Sequence, residues 1–193
     1  MKLPYSIARI LCAVAEAAAR DMGVPMAIAL ADEEGSLQFF ARMKGALPAS
    51  SEIARSKAFT AASLRMPTDE LGRLARSDGV LSGIQNTHGG RIILFGGGFP
   101  LWFDGEVVGA IGISGGTVEQ DMRVAEPVTQ AFVEMERWSE NFRSVLTPGL
   151  RDTGWIHDLE ESLALALEKE GLPLDRRELQ ILIGGVFLAA CGN

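Results

Sequence analysis

The sequence predicts an α+β domain built on an antiparallel sheet of about five strands flanked by helices, followed by a C-terminal helical appendage. Three observations predict it. Candidate strands occur in adjacent groups joined by tight turns, as hairpins require, instead of alternating singly with helices as in a doubly wound sheet. Apolar residues at helical spacing bracket those groups. A break at Thr147-Pro148-Gly149 separates them from two amphipathic stretches that end the chain. The expected domain covers residues 1–146, with a linker and helical hairpin over 147–193.

The elements follow in order. Ile7, Ile10, Leu11, Val14 and Ala18 share one helical stripe, with Arg9, Glu16 and Arg20 mostly off it. Met1-Lys2 and the apolar run behind it imitate a signal peptide, but Arg9 and Glu16 interrupt that run. The helix reading prevails, and a cytoplasmic protein is expected. Asp21-Met22-Gly23 closes the helix, Met26–Ala31 is an apolar strand, Asp32–Gly35 a turn and Ser36–Arg42 a second strand. Ser50 or Ser51 caps a helix running to about Leu64, and Pro67-Thr68 starts a shorter one. Arg91–Phe95 reads as a strand broken by Gly96-Gly97-Gly98. Phe99–Phe103 and Glu106–Ser114 flank Asp104-Gly105, the strongest hairpin signal in the chain. A long helix runs from about Thr117 to Phe142, with Met122, Ala125, Val128, Phe132 and Met135 along one face.

In the tail, Ile156, Leu159, Leu163, Ala166 and Leu167 form one stripe. Leu179, Leu182, Ile183, Val186, Phe187 and Ala190 form another, behind a capping-box-like Asp175 and Glu178. These faces bury each other, dock on the main body, or bind a protein partner's groove.

Composition narrows the function. Of 193 residues 47% are apolar and 22% charged, which excludes wholesale disorder. Eighteen basic against 25 acidic residues give −7 with no Lys/Arg block, so no nucleic-acid partner and no anionic membrane surface are expected. No apolar run reaches the ~20 residues of a membrane span. Cys12 and Cys191 make neither a disulfide framework nor a CxxC metal site. The 22 glycines exceed the usual ~7%, and they cluster.

Three places carry candidate chemistry. Ile113-Ser114-Gly115-Gly116-Thr117 ends a strand and opens the longest helix, with Gln120 and Asp121 in its first turn. Small residues admit a ligand to the backbone, and free N–H groups at a helix start favour an anion. The same residues also make a plain cap, in which Ser114 or Thr117 receives the helix N–H groups and Asp121 offsets the dipole. Lys57 falls on the stripe of Ile53, Ala61 and Leu64, where a charge must snorkel or meet a carboxylate or an acidic ligand. His88 lies in the loop Asn86-Thr87-His88-Gly89-Gly90 and His157 in the tail. Either could ligate haem iron, as could Met or Cys, but together they make no zinc site. The triple glycine at 96–98 lacks the GxxxxGK[ST] of a P-loop, and Gly112-Ile113-Ser114-Gly115-Gly116 has no Ser-His-Asp companions.

Ala27–Gly35 ending in Asp-x-x-Gly, Phe40-Ala41-Arg42 and Ala54-Arg55-Ser56-Lys57-Ala58-Phe59-Thr60-Ala61 are similar to the first half of a known family. Gly97-Gly98-Phe99-Pro100, Asp104 to Gly115, Gln120-Asp121 and Val124-Ala125 are similar to its second half. The chain over residues 3–143 thus resembles the GlcG/HbpS-like haem-binding family, the group that includes the C-terminal domain of PduO-type cobalamin adenosyltransferases. The resemblance implies a homodimer or larger homo-oligomer, haem or another small-molecule ligand, and links to microcompartment or catabolic operons. The resemblance transfers no axial ligand, since no haem histidine of the family matches His88; the residues themselves suggest a pocket at Ser114, Gly115, Gly116, Gln120 and Asp121, with Arg42 and Lys57 as propionate partners and His88 as axial candidate. The alternatives are an assembly protein working through its C-terminal helices, and a small-molecule enzyme using Lys57 or Asp121 as acid or base.

Overall fold

The computed structural model describes Leu3 and residues 5–145. They fall mainly in the first of two compact units, residues 1–133. The expected tail helices, together with His157 and Cys191, lie outside the described residues.

Helix α1 (Tyr5–Asp21) opens the fold, followed by β1 (Ala27–Asp32) and β2 (Leu37–Arg42). Helices α2 (Pro48–Leu64) and α3 (Thr68–Leu74) come next, and a loop with two short 3-10 turns leads to β3 (Gly98–Phe103) and β4 (Glu106–Ser114). Helix α4 (Val118–Val145) completes the described chain. The strands form one antiparallel sheet in the order β2-β1-β4-β3.

Both hairpin turns follow from local chemistry. Asp32 Oδ1 accepts the N–H groups of Glu34 and Ser36 at 3.0 and 2.8 Å, holding the β1–β2 reversal. Between β3 and β4, Asp104 (φ 51°) and Gly105 (φ 74°) are both left-handed, the pairing that matches the twist of the flanking strands.

The two faces of the sheet bury different side chains, because successive residues of a strand alternate. On one face Ala27, Ala29 and Ala31 of β1 cluster with Ala54 and Ala58 of α2. Register places Gly112 beside Ala29 and Ser114 beside Ala27 on that face. Small residues on both partners let the α2 backbone settle directly on the strands. On the opposite face Ile28, Leu30, Ile111 and Ile113 are wholly buried, each contributing roughly 1.5–3 kcal/mol. Leu3 reaches Gly109 there, and Tyr5 of α1 meets Phe39 of β2 with ring centroids 5.8 Å apart.

Two expectations are corrected. Helix α2 begins at Pro48, with Leu47 as its N-cap and no side-chain cap; Ser50 and Ser51 lie inside it. Proline at the first helical position needs no N–H there and has its φ already set. Arg91–Phe95 is not a strand, so the sheet has four strands, not five. The Thr60 hydroxyl of α2 takes the place of a neighbouring strand. It accepts the Ile93 N–H at 3.0 Å, lies 3.4 Å from the Arg91 carbonyl, and bonds back to the Ser56 carbonyl at 2.7 Å. Thr60→Val should therefore strand a backbone donor and lower stability by about 1–3 kcal/mol, while Thr60→Ser keeps most of it. Urea denaturation of the two variants checks this; a larger loss for Thr60→Ser than for Thr60→Val would show that the methyl group, not the hydroxyl, is what matters.

Candidate functional site

The Gly-rich turns meet at one buried ion pair. Lys57 stands on the face of α2 that packs against the sheet, and none of its surface is exposed. Its Nζ donates to Asp121 Oδ2 at 2.7 Å and to the Ile113 carbonyl at 2.8 Å. Its third side faces the Phe95 ring, 4.9 Å from the centroid. The ammonium thus has a carboxylate, a carbonyl and an aromatic face in place of water.

Asp121, 3% exposed, sits in the first turn of α4. Its Oδ1 accepts the Gly116 N–H at 3.0 Å. Thr117 and Gln120 form a reciprocal cap: Thr117 N–H donates to Gln120 Oε1 at 2.9 Å, and Gln120 N–H to Thr117 Oγ1 at 3.3 Å. Three donors at this helix start, the N–H groups of Gly116, Thr117 and Gln120, are bound by the chain's own side chains.

The triple glycine makes room for the pair. Gly97 has φ 109°, and a Cβ there would lie 2.8 Å from Lys57 Nζ, 2.8 Å from the Ile113 oxygen and 2.9 Å from Asp121 Cβ. Gly97 also accepts the Ile113 N–H at 2.8 Å, so the Ile113 peptide is held by Gly97 on one side and Lys57 on the other. Next to it, Gly98 N–H donates to Thr68 Oγ1 at 3.0 Å.

Burial pulls both members of the pair toward neutrality, and their contact opposes it. Desolvation lowers the Lys57 pKa, against the charge and hydrogen bond of Asp121. Desolvation raises that of Asp121, against Lys57 and the N–H groups of Gly116 and Gly115. With a short contact and backbone partners for each charge, the pair is a structural clamp on the Ser114–Thr117 turn. An acid–base role would require Nζ to be uncovered.

The residues expected at the site separate into three groups. Ser114, Gly115, Gly116, Gln120, Asp121 and Lys57 converge on the clamp. Arg42 is exposed at the end of the edge strand β2, in the same register row as Ala27 and Ser114, and donates to the Ala46 carbonyl at 3.2 Å. His88 lies apart, against Phe59, whose ring faces Gly35 in the turn beyond the far end of β1. Sequence reasoning missed Phe95 and Gly97; the charged Lys57 on an apolar stripe and, far from it in the chain, the glycine run at 96–98 were the available signals. Among the described residues no group of three or more His, Cys, Asp or Glu is placed to hold a metal ion, and no helix is long and apolar enough to cross a membrane.

Comparison with known proteins adds to this geometry. The family described as "Haem degrading protein HbpS-like" matches residues 3–130. A Citrobacter freundii protein described as an uncharacterized 15.0 kDa protein in the dhaT-dhaS intergenic region is 38% identical over 133 residues, covering 69% of this chain and 94% of that protein. The corrinoid adenosyltransferase PduO of Salmonella typhimurium is 39% identical over 114 residues, covering 59% of this chain and 34% of the enzyme. This chain therefore spans about a third of that enzyme's length. The crystal structure of a PduOC:heme complex aligns with a TM-score of 0.66 at 36% identity, over 68% of this chain and 95% of that one.

Proposed function

This chain belongs to the HbpS-like family, and on that premise we propose that it is a haem-binding accessory protein. The observation that carries the reading is the likeness to the PduOC:heme complex, at 36% identity over 95% of that chain. The donor set is compatible with such a ligand. His88 offers an exposed imidazole. Cys12 is buried, and burial, with Glu16 beside it, pushes its thiol up to about 12, so it stays protonated and is a poor ligand for iron. Haem, when bound, supplies an iron centre whose axial positions take imidazole, thiolate or thioether.

Two surfaces are open to the ligand. One is at the clamped turn, where Phe95, against Lys57, and Val118, beside Gly96, are 41% and 37% exposed, and where Arg42 at the sheet edge keeps guanidinium donors for a propionate. The other is the loop that carries His88. A homodimer or larger homo-oligomer belongs to the same proposal. Titrating the purified full-length protein with haemin should give a saturable Soret shift at about one haem per chain. A shift that grows linearly, without saturation, would reduce the interaction to nonspecific association and reject the reading.

The family's description as haem-degrading supports a second reading, in which the bound ligand is also broken down. Following the Soret band of the loaded protein for hours in air with ascorbate separates the two. A binder holds the band; a degrading protein loses it and releases iron.

A further inference from the structure

We propose that the loop between α3 and β3 is the haem-ligating site, with His88 Nε2 as the axial ligand and Arg91 as the propionate partner; the inference rests on the haem-binding reading above. The hydrogen bonds around Thr87 favour one tautomer. The Thr87 hydroxyl has one hydrogen and spends it on the Ile84 carbonyl at 2.6 Å. That same oxygen lies 2.9 Å from His88 Nδ1, so it accepts and Nδ1 donates. The neutral imidazole therefore carries its proton on Nδ1 and presents a bare lone pair at Nε2. A partner on the far nitrogen that fixes tautomer and ring orientation is what a metal-ligating histidine requires.

The surroundings suit a flat, dianionic ligand. His88 is exposed and held at φ 50°, a backbone conformation that histidine adopts sparingly. The two residues after it, Gly89 and Gly90, have no heavy atom within 4 Å of where a Cβ would stand, so the ground beside the imidazole is open. The Phe59 ring lies 5.7 Å from the imidazole and tilted 60° to it, an apolar wall from α2. The Arg91 guanidinium lies over that ring at 3.9 Å and is itself exposed, within reach of an acid group carried by a ligand at His88. By contrast, Lys57, Asp121, Gln120 and the N–H groups of Gly116 and Thr117 at the clamped turn are already partnered with one another.

The test compares haemin titrations of the full chain with those of His88→Asn, His88→Ala, Arg91→Gln and His157→Ala. Asn keeps the left-handed backbone conformation that His88 occupies, which guards against a mere folding loss. Both His88 variants should bind at least about tenfold more weakly and lose the iron–histidine stretch in the resonance Raman spectrum of the ferrous complex, with added imidazole restoring the Soret position. Arg91→Gln should weaken binding several-fold, by about one charge-assisted hydrogen bond, with the spectrum unchanged. Saturable binding whose spectrum and affinity survive both His88 substitutions would overturn the assignment of the ligand while leaving the haem reading intact. Loss of the iron–histidine signature with His157→Ala would do the same. Absence of saturable binding by the unaltered protein would reject both.

Discussion

Asp121→Asn is expected to lower the stability of this fold by about 3–5 kcal/mol, because it strands a lysine that has no access to water. Lys57 is 0% exposed and its side chain ends against Asp121, the Ile113 carbonyl and Phe95. Without the negative charge, a neutral amide oxygen, the carbonyl and the ring are all that oppose desolvation, and the lysine pKa falls further below its ordinary value. The pH dependence follows from the sign of that shift. Between the depressed folded-state value and the ordinary lysine value the unfolded chain binds more protons than the folded one, so stability rises with pH across that window. The variant's deficit is therefore largest near neutrality and shrinks in alkaline solution. Lys57→Met alone should cost a similar amount, leaving Asp121 buried with only the N–H groups of Gly116 and Gly115. Lys57→Met combined with Asp121→Leu should recover most of the loss, since a well-packed apolar pair is often no worse than a buried ion pair. Urea denaturation at several pH values measures all of this. If the double variant were as unstable as the sum of the single ones, Lys57 and Asp121 would not be acting as a pair.

Much of this clamp was legible in the sequence, but not its connectivity. Lys57 on an apolar stripe announces a compensated charge, and Asp121 in the first turn of a helix announces a dipole partner or a cap. Nothing in a linear pattern says that these two meet, because their separation of 64 positions is closed by the sheet's register. The glycines at 96–98 were visible as a break in a strand; that Gly97 keeps clear of Lys57 Nζ is a property of packing, not of periodicity. The fold class was legible because hairpin turns carry local chemistry, as at Asp32 and Asp104-Gly105. Arg91–Phe95 misled for the complementary reason. Its apolar residues satisfy a strand pattern, but its backbone is paired by a hydroxyl from a distant helix, and periodicity does not detect such a partner. The tautomer of His88 was likewise invisible in sequence, since it depends on where Thr87 sends its single hydroxyl hydrogen.

Gly112→Ala is expected to lower stability by about 3 kcal/mol or more, a large effect for one added methyl group. The new Cβ would stand 2.5 Å from the Ala58 nitrogen and closer still to the Ala54 carbonyl oxygen. Both are backbone atoms of α2, so no side-chain rotation relieves the contact; the helix must lift from the sheet. Lifting it opens the seam of Ala27, Ala29, Ala31, Ala54 and Ala58, all at most 1% exposed. It also draws Lys57, which lies between Ala54 and Ala58, away from the Ile113 carbonyl and Asp121. Gly105→Ala is the control, because its turn is left-handed at φ 74° but open, with nothing within 4 Å of the added atom. That change should cost only about 1–2 kcal/mol, the penalty of placing a Cβ in the left-handed region. Because Gly112 and Lys57 act on the same helix, Gly112→Ala combined with Lys57→Met should lose less than the two losses added together. Equal losses for Gly112→Ala and Gly105→Ala would mean that α2 rides on the sheet loosely enough to absorb a methyl group. The clamp and the Thr60 hydroxyl bonds would then hold that helix more than the alanine seam does, and the Asp121 and Thr60 variants would show the larger losses.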